Sequence, residues 1–199
     1  MQNFSNKTCF VAPGIEDLAV DDLKFKEFSV YVRRALESRG YKTVDTLENA
    51  EMIILLAYEI SGPQSNMTAM PVYGQTGVSS STTYGTINSS GYGSASYTGT
   101  TYHTPQYGIT GYAPISYTTY TRYIKMKACD WIQYKMYQKD VILWETEVIS
   151  VGSTGDLREV FPVMVAASMP YVGENTGKKI KVVLSENNKQ VKFIKGLLN

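Results

Sequence analysis

His103 is the chain's only histidine, and an imidazole is the side chain that a general base or a metal site would use first. It stands in "TTYHTPQYG", inside a segment from Ile60 to Thr121 that contains no Asp, Glu, Lys or Arg. No neighbouring carboxylate orients it, no thiol accompanies it, and no second ligand completes a metal centre. Glu145 and Glu147 lie two apart on one face of a strand-like stretch, and without a cleft such a pair is a solvated face. Cys9 and Cys129, the two cysteines, sit in "TCFVA" and "MKACD". They are compatible with a single bridge or with two small apolar side chains. "GYGSAS" lacks the third glycine of a dinucleotide fingerprint and opens no helix. Asn-x-Ser/Thr matches at Asn3, Asn6, Asn66 and Asn88 are what a hydroxyl-rich chain produces by chance. No catalytic residue, metal site or cofactor is assigned, and the chain is read as non-enzymatic. An enzyme whose site the sequence does not display is the alternative.

Tyrosine offers a different chemistry, that of contact. Nine of the sixteen tyrosines and nine of the sixteen glycines fall in the neutral segment. Tyrosine brings large rigid contact area at low entropy cost, and Ser, Gly and Asn bring adaptable hydrogen bonds. Tyr73, Tyr84, Tyr92, Tyr97, Tyr102, Tyr107 and Tyr112 are therefore the candidate binding residues. Two of them sit in a phrase written twice, "PVYGQTG" at 71–77 and "PQYGITG" at 105–111. Proline fixes a backbone angle, glycine permits tight turns and threonine bonds nearby backbone. Each copy thus reads as a rigid turn presenting a tyrosine, followed by a strand, with the strands from Ser79 and Ser116 placed as neighbours or in related positions. From Tyr92 to Tyr117 tyrosine recurs every five residues, which on a strand alternates faces and gives either a two-faced ribbon or a series of turns. The competing readings are a disordered linker, against which the tyrosine content argues, and a pore-lining hairpin. For the latter the lipid-facing row is only Val78, Ile87, Ile109 and Ile115 among Ser and Thr.

The flanks supply the scaffold. The chain has 199 residues, with 19 Lys and Arg against 18 Asp and Glu, a balance that does not call for nucleic acid. "TCFVA" reads as a first strand stopped by Pro13-Gly14. Asp21 is read as the N-cap of a helix burying Phe25, Phe28, Val32 and Leu36, ended by Gly40. Tyr41 to Val44 is a short strand and Ala50 to Ile60 a continuous apolar one, with Ile53 and Leu55 expected in the core alongside Trp144. After the insertion, a long strand is expected from Ser116 through Met136, a turn at Gln138-Lys139-Asp140 and a return strand from Val141 to Val151. Asp156 and Glu159 suggest a capping box before a helix holding Pro162. The end of the chain divides at Asn187-Asn188 into two strands whose interleaved lysines protect an edge. This order is α+β: a mostly antiparallel sheet with two helices on one face, comprising residues 1–61 and 117–199, interrupted by the Tyr/Gly/Ser/Thr-rich insertion 62–116.

With those elements placed, the flanks resemble the uncharacterised α/β domains of small bacterial envelope lipoproteins. The resemblance rests on the "LESRG" helix end, the Ala50-Glu51 strand start and the "ILWE" phrase at 142–145. It implies a periplasmic or outer-membrane-associated domain with no known reaction. Cys9, inside a strand, departs from the position of a lipid-bearing cysteine. No apolar run is long enough for a transmembrane helix or a leader, so a membrane link is expected only through a lipid anchor on a removed segment. The expected function is structural or interactive: display of the insertion to a protein partner, to a glycan or to copies of itself. An oligomeric pore to which each copy gives a hairpin is the further alternative.

Overall fold

A computed structural model describes residues 6–90 and 93–198, the side chains of Ser90 and Ser94 excepted; Asn3 and Tyr92 lie outside the described residues. Two compact units are distinguished: a body, residues 1–64 with 119–199, and a ribbon, residues 65–118.

The body is an α+β domain on a mostly antiparallel mixed sheet. Strand β1 (Thr8–Pro13) buries Cys9 and Val11. Helix α1 (Leu23–Ser38) follows, capped by Asp22 and not by Asp21, because the Asp22 carboxylate is the one that accepts from the Phe25 amide, at 2.8 Å. Gly40 closes the helix at φ 85°, a left-handed value that glycine adopts without strain. The chain returns through the short β2 (Lys42–Thr43) to β3 (Met52–Ile60), both parallel to β1. A helical crossover between parallel strands requires this direction.

Strand β4 (Gln64–Ser90) pairs with β5 (Ser94–Asp130), and β6 (Ile142–Gly152) pairs with the last part of β5. Register decides which apolar residues are core. Met52, Ile54, Leu56, Ile124, Met126 and Ala128 are fully buried, while Ile53 and Leu55 point to the other face and are only half-buried. The expectation for Ile53 and Leu55 is thereby corrected. An uninterrupted apolar strand carries no alternation from which to choose its inner face.

The strand expected to run to Met136 stops at Asp130. Its carboxylate accepts from the Gln133 amide at 3.0 Å and starts helix α2 (Trp131–Tyr137), which Gln138 ends in a left-handed conformation at φ 53°. Helix α3 (Leu157–Ser168) is capped by Asp156, but Glu159 accepts from the Thr154 hydroxyl at 2.9 Å and completes no reciprocal box. Pro162 lies in the helix interior, buried, and forgoes the amide bond to the carbonyl four residues back. At the chain's end no strand forms among the described residues. Residues 178–185 have no regular structure, and Asn188 caps helix α4 (Lys189–Ile194), which buries Val191 and Ile194.

Helices α1, α3 and α4 pack against one another over the buried residues of β1, β3 and β5. Phe28 stacks on Phe161 with centroids 3.8 Å apart, and Tyr58 meets both rings edge-on. Phe25, Phe28, Val32, Leu36 and Trp144 are buried as expected. Both cysteines are free thiols.

Candidate functional site: an uncharged two-stranded ribbon

The ribbon reverses the economy of the body. Strand β4 is 27 residues long and β5 is 37, so β4 alone extends about 90 Å at the usual rise per residue. None of the described residues between 65 and 118 is buried. With no core, the ribbon is held by its ladder and by contacts across it.

Those contacts fix the register. The Thr83 and Thr101 hydroxyls meet at 2.8 Å, and Ser81 Oγ lies 2.7 Å from His103 Nδ1. Further along, a Cβ placed on Gly74 would lie 3.0 Å from Thr110 Cγ2, and one on Gly108 would lie 3.3 Å from Thr76 Cγ2. A single antiparallel register therefore runs from residue 74 to residue 110, and it sets the two copies of the repeated phrase against each other. The fourth-position glycine of each copy faces the sixth-position threonine of the other. The hydrogen bonds follow the same symmetry: Thr76 Oγ1 donates to the Gln106 carbonyl at 3.3 Å, and Thr110 Oγ1 to the Val72 carbonyl at 3.2 Å. Tyr73 is set opposite Gly111 and Tyr107 opposite Gly77, and both tyrosines are 71 % exposed. The phrase is a strand pair with a local twofold axis between Gln75 and Ile109.

This corrects the turn reading. Proline and glycine here lie within strands, tolerated because a two-stranded ribbon is all edge and a missing donor or side chain costs little there. Ser79 and Ser116 lie in the neighbouring strands β4 and β5 but are not set opposite each other, since Ser79 bonds the Thr104 carbonyl. The signal that identifies the arrangement was in the phrase itself. Tyr-Gly-x-Thr-Gly is complementary to its own antiparallel copy, glycine to threonine and tyrosine to glycine.

Alternation distributes the tyrosines over both faces. Tyr73, Tyr97 and Tyr107 share one face, on which the Tyr97 ring lies across Gly85 and Gly99. Tyr84, Tyr102 and Tyr112 share the other, where Tyr84 and Tyr102 meet at 6.2 Å in a T-shaped pair. All six are at least 60 % exposed. Neither face carries an unbroken apolar row: Gly74 and Thr76 separate Val72 from Val78, and Ser80 and Thr82 follow. His103 faces Ser81 on open strand, beyond reach of any local acid. In the body, Glu145 forms an exposed ion pair with Lys125 at 3.0 Å, the solvated arrangement expected of two strand carboxylates.

Among the described residues no group of three or more His, Cys, Asp and Glu is placed to hold a metal ion, and no helix is long and apolar enough to cross a membrane. No protein-family model and no curated protein matches the chain.

Proposed function

We propose that this protein is a non-enzymatic cell-envelope domain whose body carries the ribbon as an interaction surface for protein. One observation carries the reading. Residues 65–118 present two strands with no charge and no described buried residue, and a two-stranded hairpin alone is marginally stable in water. Natural edges are blunted with charge, lysine above all, whereas this segment holds none. Exposed tyrosines on both faces add the side chain most often used at protein contacts. Supporting the non-enzymatic part is the chemistry of His103, whose imidazole has a hydroxyl beside it and no carboxylate between Ile60 and Thr121 to orient it. The envelope assignment follows from the resemblance of the flanks.

The test replaces residues 73–111 with Asn-Gly, a two-residue turn joining Val72 and Tyr112, which the register sets opposite each other. The body should keep its cooperative unfolding transition while association with the protein's partners, measured by sedimentation, disappears. Unfolding of the body would make the ribbon part of the core, and unchanged association would remove its role.

A further inference from the structure

Resting on the reading of the ribbon as an interaction surface, we infer that its partner is a second copy of this chain, docked antiparallel along the free edge of β4 with Gln75 on the twofold axis.

The first ground is that the phrase already pairs with its own likeness inside one molecule. The bonds Thr76 to Gln106 and Thr110 to Val72, and the seating of each threonine against a glycine, depend only on the positions that the two copies share. When 71–77 of one chain meets 71–77 of another antiparallel, the same residue pairings recur, while the Thr76 hydroxyl and the Val72 carbonyl stay engaged with β5. Gly74 faces Thr76 of the second copy, Tyr73 faces its Gly77, and Gln75 faces Gln75. The space for this exists, since nothing lies within 4 Å of a Cβ built on Gly77, which leaves room for a tyrosine beside it.

The second ground is charge. Identical strands paired about a twofold axis set the residue on the axis against its own copy, and directly opposed like charges destabilise a strand pair. A segment with no Asp, Glu, Lys or Arg from Ile60 to Thr121 is free of that repulsion in every register. A dedicated partner of another sequence would favour complementary charge for steering and specificity.

The third ground selects the strand. In β5 proline stands on both sides of Tyr-Gly-x-Thr-Gly, at Pro105 and Pro114, each lacking an amide donor, whereas in β4 it stands on one side only, at Pro71, and none follows from Val72 to Ser90. Among the described residues, β4 has β5 as its one strand neighbour. The result is an isologous pair, the commonest closed assembly of identical chains.

The experiment uses the full chain with single substitutions at the exposed Gln75. Sedimentation velocity should show a concentration-dependent dimer. Gln75→Lys sets two ammonium groups face to face and should return the chain to monomer at low salt, with dimer regained as salt screens the pair. Gln75→Glu should behave alike, and an equimolar mixture of the two variants should dimerise at low salt where neither does alone. Ile109→Lys, on β5 and opposite Gln75 within the same chain, should leave the dimer intact. Wild-type protein that stays monomeric at all soluble concentrations would overturn the self-pairing while leaving the ribbon open to another protein. Dimer that persists in both charge variants, with amide protection gained on β6 and not on β4, would overturn this inference and the interaction reading together. Disruption by Ile109→Lys with Gln75→Lys silent would overturn the assignment to β4.

Discussion

Body and ribbon are cut from one chain and obey opposite rules. The body excludes water from a cluster in which Phe28, Val32, Leu36, Ile54, Met126 and Phe161 have no exposed surface, and it places its charges outside, as in the Lys125–Glu145 and Arg158–Glu27 pairs. The ribbon buries none of its described side chains and carries no charge. In the body, side-chain volume decides what is tolerated. In the ribbon the deciding features are the backbone ladder and the alternation of glycine with threonine and tyrosine. A surface built in that way remains unfinished until something lies along it.

The difference is broken most strongly from the body's side. Leu36→Ala should cost about 2 to 4 kcal/mol, because a fully buried leucine leaves a cavity as well as lost transfer energy. Urea unfolding monitored by tryptophan fluorescence reads it, since Trp131 and Trp144 both lie outside the ribbon. Amide exchange over 65–118 should be unchanged below the global transition. A loss under about 0.5 kcal/mol, the ordinary range for surface sites, would mean that α1 does not seal the core.

A smaller effect comes from alkali. Burial pushes the Cys9 thiol up from 9.0 to about 12, and burial likewise raises Cys129, Tyr41 and Tyr58. All four belong to the body. In each case the folded state holds its proton more tightly than the unfolded chain. Their contribution is therefore complete at neutral pH and is lost as pH rises, for Cys9 between about 9 and 12. The urea midpoint should be level near neutrality and fall above pH 9, and Cys9→Ala should flatten the first part of that fall. A midpoint that rose with alkali would reverse the sign and place the thiol in a polar site.

Much of the body was legible because its elements announce themselves locally. The Phe25, Phe28, Val32, Leu36 spacing located α1, and the Trp144 phrase located β6. What local pattern does not carry is the inner face of an apolar strand. Met52, Ile54 and Leu56 face the core, and Ile53 and Leu55 do not, because β1 and β5 present Cys9, Val11, Ala128 and Met126 on that side. Helices α2 and α4 escaped for another reason. Both are short, their sequences alternate like strands, and a single cap, Asp130 or Asn188, decides each one. Among the candidate binding residues, Tyr73, Tyr84, Tyr97, Tyr102, Tyr107 and Tyr112 all prove exposed. Their arrangement was hidden because proline and glycine signal turns unless a partner strand makes them part of a ladder.

The finest test of the comparison lies within the ribbon. Gly74 and Gly108 are related by the local twofold axis, so their replacement by alanine should have the same kind of effect and differ only in degree. A Cβ at Gly74 meets Thr110 Cγ2 at 3.0 Å, and one at Gly108 meets Thr76 Cγ2 at the looser 3.3 Å. Both substitutions should displace the facing threonine and loosen its bond to the opposite carbonyl, Gly74→Ala more than Gly108→Ala. Neither touches the core, so each should change global stability by less than about 0.5 kcal/mol. Local amide exchange around 72–76 and 106–110 should accelerate in both, in that order. If Gly108→Ala were silent while Gly74→Ala disrupted the whole ribbon, the two copies of the phrase would not be equivalent. The self-complementarity on which the antiparallel pair rests would then be confined to one of its halves.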